Sequence, residues 1–378
     1  MTMFSAIQRP TVAEINLDHL KHNFLKIRQH VNTKVMAIVK ANAYGHGLIP
    51  VAHFLDKCGV DALGVAFLEE GIALRQAGIR CPILVLGGMC HKQVDYFLDF
   101  DLEINVSSLD KLKQVEEACE RKQKQAVIHV KVDTGMERIG VHSYHAKPLI
   151  EAALKTRHCH FKGVFSHLAC ADDPASPMTK LQMERFQEIT SHIEKLGEPM
   201  PLRHLANSGG ILHFKESHLD MVRPGIILYG SLPDPASHDV LGLRPLLTLK
   251  SQVVYFKVIP PGASVSYGAT WTSEKMTRVV TVPIGYGDGY PRALSSKGHV
   301  LIRGQRYPII GRVCMDQFMV DIGWNSAWNE DEVVLIGTQG EEHISVEQIA
   351  VQSDTIPYEI FTRLNERIPR VYVGDNGE

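Results

Sequence analysis

The feature that most constrains the fold is an alternation of helix-period stretches and short apolar runs, repeated from about residue 17 to residue 230. Leu20, Phe24 and Ile27 fall on one helical face, for example, and an apolar run follows them. Runs that are apolar on both faces are typical of parallel strands connected by helices. Eight such runs favour a closed (β/α)8 barrel over an open doubly wound sheet. The predicted strands are residues 35–39, 62–67, 83–86, 102–106, 126–132, 161–165, 202–206 and 221–223.

The pattern changes after residues 233–238, where short strand-like runs separated by Gly- and Pro-rich turns replace the alternation. Such spacing is typical of a β domain. Only residues 344–353 and 357–367 have a helical pattern there. The predicted architecture is therefore an α/β chain with a (β/α)8 TIM barrel at residues 11–235 and a mostly β domain at residues 241–378. Residues 1–10 can pack with this second domain.

Charge and composition argue against several classes of protein. Forty basic residues against 42 acidic ones leave a net charge of −2, so we expect no nucleic-acid partner and no anionic membrane surface. The chain has no secretory signal pattern and no apolar run approaching the ~20 residues of a membrane span. Seven scattered cysteines without a C-x-x-C pair fit a cytoplasmic protein better than a disulfide framework. His158 and His160 have no further ligand at the usual spacing, so we expect no metal site.

Lys40 follows the apolar residues of the first predicted strand. At the end of that strand its side chain would project at the C-terminal rim, where barrel enzymes place their active sites. A solvated lysine at a strand end is the alternative. An amine among apolar residues has a lowered pKa, however, and can form a Schiff base with an aldehyde.

Two glycine-containing segments, HLANSGG and VRPGI, follow the seventh and eighth predicted strands. In barrel enzymes the loops at these positions commonly bind phosphate. Ser208 supplies a hydroxyl, and the glycines let backbone N–H groups approach a dianion. A Ser-Gly-Gly sequence alone is an ordinary turn. Combined with an amine nucleophile on the first strand, it indicates pyridoxal 5'-phosphate (PLP).

The order and spacing of eight motifs make the chain resemble the alanine racemase family from about Thr11 to Val373. The motifs are AIVKANAYGHG, VKVDTGMERIG, FSHLA, HLANSGG, VRPGIILYG, VSYGATW, GYGDGYPR and IGRVCMDQ. The resemblance implies that Lys40 holds PLP as an internal aldimine and moves the Cα proton of alanine on one face. Tyr267 then serves the opposite face, since inversion needs proton transfer on two sides.

The resemblance also places Arg223 opposite the pyridine nitrogen, with His204 supporting it. Because a guanidinium keeps its proton, that nitrogen should stay neutral, which disfavours transamination. The other residues that the resemblance implies are Arg138 and Met315 at the substrate carboxylate, His167 beside the pyridine ring, Tyr44, Ser208, Gly225, Ile226 and Tyr358 at the phosphate, Tyr286 and Asp316 at the substrate entrance, and Lys131, which some family members carbamylate.

A homodimer with shared active sites is implied as well, because in the family the tyrosine and methionine matched by Tyr267 and Met315 come from the second subunit. The expected role is the supply of D-alanine for a bacterial cell wall. Two alternatives are a PLP-dependent amino-acid decarboxylase of the same plan and a non-catalytic PLP-binding homeostasis protein. The decarboxylases generally place a carboxylate where this chain has Arg223, and the homeostasis proteins lack the second domain.

Overall fold

The computed structural model describes residues 9–234 and 239–374, and these contain the predicted barrel. Eight parallel strands form it. Each of the first six strands pairs with the next along the chain, and the eighth pairs with the first. The strands, first to eighth, are Lys34–Ile38, Ala62–Val65, Ile83–Val85, Glu103–Val106, Ala126–Asp133, Cys159–Phe165, Leu202–His204 and Met221–Val222. A short strand, Val141–His142, also pairs with the fifth.

The barrel closes between its first, seventh and eighth strands. Val222 lies opposite Val35 in a parallel pairing of the eighth strand with the first. The backbone N–H of Arg223 donates to the carbonyl of Ala206 at 2.9 Å, which joins the eighth strand to the segment that continues the seventh. The C-terminal ends of all eight strands therefore face one side of the barrel, as the alternating pattern predicted.

Helices cover the outside of the barrel. The first begins where Asn16 accepts a hydrogen bond from the N–H of His19 at 3.0 Å, and it buries an apolar face that includes Phe24. The others are Leu48–Lys57, Leu68–Gln76, Val94–Asp99, Leu109–Lys122, Ala146–Leu154, Pro177–Leu196 and Ser208–His213, with a short turn at Lys40–Tyr44. Within residues 9–234 and 239–374, no helix combines the length and apolar character needed to cross a membrane.

The second domain is mostly β, as predicted. Its main sheet has the strand order Tyr255–Ile259, Thr277–Val282, Phe318–Gly323, Gln305–Ile310, His299–Ile302, Glu332–Gln339, Leu247–Gln252, Val12–Asn16 and Arg370–Val373, and Glu342–Ile344 pairs at its side. Ser264–Val265 and Trp271–Thr272 form a separate hairpin. The two helices expected near the C-terminus are Val346–Gln352 and Pro357–Arg363.

One boundary differs from the sequence-based expectation. The strand Val12–Asn16 pairs antiparallel with Leu247–Gln252 and parallel with Arg370–Val373, so it belongs to the sheet of the second domain. The barrel thus starts with the helix at Leu17 and not at residue 11, because an apolar alternation cannot show which sheet a strand joins. Residues 1–8 lie outside the described residues, and Arg9 pairs with Asp288 of the second domain.

The second domain packs on the barrel beside the turn that carries Lys40. Arg370 donates from Nε to the carbonyl oxygen of Gly45 at 3.0 Å, and the Tyr372 hydroxyl donates to the carbonyl of His46 at 3.1 Å. The rings of His46 and Phe361 meet edge to face, with centroids 4.9 Å apart. The domain contact therefore supports the backbone immediately after Lys40.

A substitution at Gly45 tests this contact. A Cβ at residue 45 would lie 2.2 Å from the carbonyl oxygen of Phe361, whereas a Cβ at Gly59 would meet nothing within 4 Å. Both glycines have a positive φ, 79° and 74°, so alanine is strained at both positions and only the clash differs. We expect Gly45→Ala to lower the free energy of unfolding by about 1–3 kcal/mol more than Gly59→Ala does, as measured by urea titration. Equal losses would show that the domains do not depend on this close approach.

Candidate active site

A cavity of about 520 Å³ lies at the C-terminal ends of the barrel strands. It is lined by residues that follow the first, sixth, seventh and eighth strands, by the fifth strand, and by the helix Pro357–Arg363 of the second domain. Most of the site residues predicted in the barrel meet there together with Tyr358 of the second domain. The barrel residues are Lys40, Tyr44, Lys131, Arg138, His167, Ser208, Arg223 and Gly225. The cavity therefore joins side chains that are far apart in sequence.

The backbone around Lys40 is unusual. The first strand ends at Ile38, so Lys40 stands two residues beyond the strand and not within it. Residues 41–44 then adopt a left-handed turn, with φ between 52° and 55°. Such a conformation costs roughly 1–2 kcal/mol for each residue other than glycine and persists only where neighbouring structure holds it. The Glu70 carboxylate does so in part by accepting the N–H of Ala41 at 2.6 Å.

The electrostatic surroundings of Lys40 favour a neutral amine. Burial lowers the pKa of the Lys40 amine, the charge of Arg138 lowers it further, and Glu70 acts in the opposite direction. A lowered pKa increases the fraction of free amine at neutral pH, which is the nucleophilic form. Lys40 is therefore suited to attack an aldehyde in this cavity.

Arg223 is buried and held by main-chain and imidazole acceptors. Its Nη1 donates to the carbonyl oxygen of His204 at 2.6 Å and to the His204 Nδ1 at 3.1 Å. Its Nη2 donates to the carbonyl oxygens of Ser166 and Leu205 at 2.6 and 3.1 Å. Burial lowers the pKa of Arg223 to about 9, so the guanidinium stays charged at neutral pH. A positive group with donors only is thus fixed at the wall of the cavity.

Two histidines flank Arg223 in their neutral form. His204 lies behind it, fully buried, and His167 lines the cavity with its Nδ1 3.5 Å from the Arg223 Nη2. Burial holds the pKa of both imidazoles well below the usual range, and the charge of Arg223 lowers it further. His204 is therefore hydrogen-bonded to Arg223 from behind, on the side away from the cavity.

The opposite end of the cavity combines hydroxyl groups with close backbone. Ser208 begins a helix that Asn207 caps, and its hydroxyl accepts the N–H of Gly225 at 3.0 Å. The rings of Tyr44 and Tyr358 lie with centroids 5.9 Å apart. A Cβ on Gly225 would come within 2.4 Å of the Tyr44 hydroxyl, so glycine keeps this space open.

This end of the cavity fits a phosphate, because hydroxyls and a helix N-terminus are what protein phosphate sites offer. Ile226, predicted as a further contact, is fully buried directly after Gly225 and begins the short helix Ile226–Tyr229.

Lys131 reaches the cavity from the fifth strand, and its Nζ is buried without a hydrogen-bond partner in the described part of the chain. Burial lowers the pKa of Lys131 well below the usual value, and nearby Arg223 lowers it further. The Nζ lies 4.9 Å from the centre of the Phe165 ring. An unpartnered amine with a lowered pKa therefore lies near Arg138 and Arg223.

Arg138 is carried by a loop that one carboxylate organises. Asp133, at the end of the fifth strand, accepts backbone N–H groups from both ends of the loop, including those of Gly135 at 2.8 Å and Arg138 at 3.2 Å. Burial opposes ionisation of Asp133, but these hydrogen bonds outweigh it, so the pKa of Asp133 is lowered. The carboxylate therefore holds the Arg138 backbone while the side chain reaches the cavity.

Four predicted residues of the second domain lie elsewhere, whereas Tyr358 of the same domain lines the cavity. Tyr267, Tyr286 and Met315 have 72%, 42% and 52% of their surface exposed, and neither they nor Asp316 line the cavity of their own chain. The loops of Tyr286 and Met315 are joined by backbone hydrogen bonds, and Asp316 accepts from Arg367 at 2.7 Å. One chain thus brings the barrel residues and Tyr358 together, but not the other four residues predicted in the β domain.

Sequence reasoning named Lys131 but missed its neighbours His129 and Asp133 in the barrel interior. His129, Lys131 and Asp133 alternate along the fifth strand and share its inward face, and His129 contacts His204 and Glu103. Three titratable residues at a spacing of two in an otherwise apolar run were the available signal. In residues 9–234 and 239–374, no group of three or more His, Cys, Asp or Glu side chains is arranged to hold a metal ion.

Comparison with protein families gives two matches that together cover most of the chain. Residues 15–233 match the model of the alanine racemase N-terminal domain, and residues 246–372 match that of the C-terminal domain. The chain belongs to the alanine racemase family. Among its relatives, the alanine racemase of Halothermothrix orenii is 41% identical over 373 residues, covering 98% of each chain. That of Carboxydothermus hydrogenoformans is 42% identical over 368 residues, covering 97% of this chain and all of the relative.

Solved structures of alanine racemases have the same fold. That of Streptomyces lavendulae superposes with a TM-score of 0.93 at 37% identity, covering 97% of each chain. That of Bartonella henselae, solved with covalently bound pyridoxal phosphate, gives 0.87 at 30% identity, covering 96% of this chain and 99% of the other. Alanine racemases depend on PLP. The cavity described above fits this cofactor, since it offers a lysine with a lowered pKa, a group of hydroxyls and close backbone suited to a phosphate, and a buried hydrogen-bond donor. Neither the decarboxylase nor the homeostasis protein is favoured by these matches.

Proposed function

We propose that this protein interconverts L- and D-alanine with PLP attached to Lys40. The observation that carries the proposal is a cavity that brings together three features: a lysine with a lowered pKa, an arginine whose acceptors are carbonyl and imidazole groups, and a group of residues suited to a phosphate. The chain that contains this cavity belongs to the alanine racemase family along almost its whole length. When bound, PLP supplies an electron sink for the pair left on the substrate Cα when its proton is removed. The remaining work falls to the residues of the chain.

The barrel residues, together with Tyr358 of the second domain, would hold the cofactor at three points. Lys40 would bind its aldehyde carbon, Arg223 would meet its pyridine nitrogen, and His167 would lie beside the ring. The phosphate is held by Tyr44, Ser208, Gly225, Ile226 and Tyr358. Because Arg223 donates hydrogen bonds and keeps its own proton at neutral pH, it leaves the pyridine nitrogen unprotonated. That weakens the electron sink and favours return of the proton to Cα over transamination.

Two bases would move the Cα proton on opposite faces. Lys40 takes it from D-alanine, and Tyr267 takes it from L-alanine, so that each direction uses one group as base and the other as acid. Arg138 meets the substrate carboxylate by its guanidinium and Met315 by its backbone N–H. The guanidinium charges of Arg138 and Arg223 in this cavity would stabilise negative charge on a phenol oxygen placed there.

We propose further that the active enzyme is a homodimer in which Tyr267 and Met315 of the partner subunit complete the site, with the partner's Tyr286 and Asp316 at its entrance. The exposure of Tyr267 and Met315 outside their own chain's cavity supports this arrangement. The enzyme would work in the cytoplasm and supply D-alanine for bacterial peptidoglycan.

A visible spectrum of the purified protein, followed by borohydride trapping and peptide mapping, tests the proposal. We expect the absorbance of a lysine-bound PLP, a reduced adduct on Lys40, and racemisation of either enantiomer. Lys40→Ala should lose all three, while Lys57→Ala, an exposed lysine on the next helix, should keep them. A protein that takes up no PLP and leaves L-alanine optically pure would disprove the assignment.

Tyr267→Phe tests the assignment of faces. The enantiomers have equal free energy, so kcat/KM must fall equally in both directions of racemisation. Exchange of the Cα hydrogen with D2O separates the two bases. We expect exchange from L-alanine to fall at least about 100-fold and exchange from D-alanine to fall much less, because general acid–base groups contribute roughly 10²–10⁴-fold. Tyr255→Phe, another exposed tyrosine of the β domain, is the control. Equal losses from both enantiomers would mean that the faces are wrongly assigned.

Subunit mixing tests the shared site. Lys40→Ala and Tyr267→Phe homodimers should both be nearly inactive, yet a refolded equal mixture should recover about a quarter of wild-type activity, because half of its dimers are mixed and each of these has one intact site of two. Mixing Lys40→Ala with Arg223→Ala, both on the barrel side, should recover nothing, since each site would lack one barrel residue. Recovery in neither mixture would argue that each site is built from one chain.

Lys131 is proposed to carry a carbamate. Its neutral amine can attack CO2 and release a proton, and the resulting anion would pair with Arg138 and relieve the unpartnered state of Nζ. Protein kept in 13C-bicarbonate should then show a carbamate 13C resonance that Lys131→Ala lacks and Lys162→Ala retains. A bare Lys131 amine in electron density from crystals at saturating bicarbonate would exclude the modification.

A further inference from the structure

A hydrogen-bonded chain of side chains crosses the barrel interior behind Arg223. The His204 Nε2 lies 2.9 Å from the His129 Nδ1, and the His129 Nε2 lies 2.8 Å from the Glu103 Oε2. Glu103 begins the fourth strand, at the opposite end of the barrel from the cavity, and its other oxygen bonds to Lys162. Both histidines are fully buried.

The two ends of this chain determine the direction of every hydrogen bond. Arg223 can only donate, so the His204 Nδ1 must accept and His204 must carry its hydrogen on Nε2. That hydrogen is donated to the Nδ1 of His129, which in turn carries its hydrogen on Nε2 and donates it to the Glu103 carboxylate. A positive charge on either ring would place a donor against a donor, so both rings are neutral and each has one tautomer.

The backbone is shaped to allow this contact. Gly163 of the sixth strand lies opposite His129, where the pairing register shifts. A Cβ at residue 163 would lie 2.3 Å from the His129 Nδ1 and 3.1 Å from the His204 Nε2. The ring of His204 also stacks on Phe165, with centroids 4.7 Å apart. Glycine at this position therefore lets the two imidazoles meet.

We propose that Glu103 and His129 are positioning residues that fix the tautomer of His204 and, through it, the placement of Arg223 at the cofactor nitrogen. This inference rests on the proposed function and deepens it. Without His129, the Nε2 hydrogen of His204 has no acceptor, and the ring is free to move its hydrogen to Nδ1. Nδ1 would then face the Arg223 Nη1 as a second donor, and the guanidinium would lose one of its anchors.

The test compares three histidine variants of the holoenzyme. We expect His129→Leu to lower kcat for alanine about 10- to 100-fold, the effect of a small misplacement of a reacting group, while KM for alanine stays within about twofold. The fraction of turnovers that end in pyruvate, with the amino group left on the cofactor, should rise. His129→Gln retains an acceptor and a donor and should recover part of kcat. His218→Leu removes another buried histidine, one that has no part in the hydrogen bonds between Arg223 and Glu103, and should change none of these quantities.

A double-mutant cycle separates positioning from general damage. If His129 acts through Arg223, His129→Leu should have little further effect on kcat in an Arg223→Lys background, because residues acting as one unit are not additive. Fully additive losses, or an unchanged kcat and pyruvate fraction in His129→Leu alone, would overturn the inference. The proposed function would still stand in that case, provided that the wild-type protein racemises alanine.

A measurement on the cofactor-free protein needs no racemase activity. Spectra of 15N-labelled imidazoles should show neutral, Nε2-protonated rings for His129 and His204 in the wild type, and the His204 signal should change tautomer in His129→Leu. If His129→Leu does not fold, Gly163→Ala provides a second route, since it displaces His129 without removing it. An Nδ1-protonated or charged His204 in the wild type would directly contradict the proposed direction of the hydrogen bonds from Arg223 to Glu103.

Discussion

The active site depends on an excess of positive charge facing one cavity. In the described part of the chain, Lys40, Lys131, Arg138 and Arg223 line this space together with a single carboxylate, that of Asp172. Like charges in a partly dry cavity disfavour one another, so the lysines become weak bases and His167 stays neutral. The same excess favours an anionic guest, which is what a phosphorylated cofactor and a carboxylate substrate provide. Binding and reactivity thus have a common electrostatic origin.

The protein keeps this arrangement in place with structure outside the cavity. Arg223 is held by three carbonyl groups and by an imidazole, without a carboxylate in contact, so its charge remains available to the cavity. The Glu103 carboxylate sits at the far end of the histidine chain, where Lys162 balances it. The separation allows a buried arginine to be anchored through neutral groups, and the desolvation cost is offset by hydrogen bonds.

The β domain has two roles with respect to the barrel. Within its own chain, the helix Pro357–Arg363 and the strand Arg370–Val373 contact the strained turn after Lys40, and Tyr358 reaches the cavity. Its Tyr267 and Met315 are exposed outside this cavity, and the proposed dimer would use them in the site of the partner subunit. The N-terminal strand Val12–Asn16, inserted between Leu247–Gln252 and Arg370–Val373, ties the start of the chain to its end.

The sequence by itself determined the barrel and the β domain, because apolar periodicity reports burial. Strand-end positions and the family motifs together gave nine of the 21 residues that line the cavity. The sequence could not determine which sheet receives Val12–Asn16, since strand pairing is a long-range choice that leaves the local pattern unchanged. Nor could it show that His129 lies between His204 and Glu103, or that Tyr267 lies apart from Lys40. These relations depend on how the closed barrel brings distant strands together and on which surface the second domain leaves exposed, and only the tertiary structure decides them.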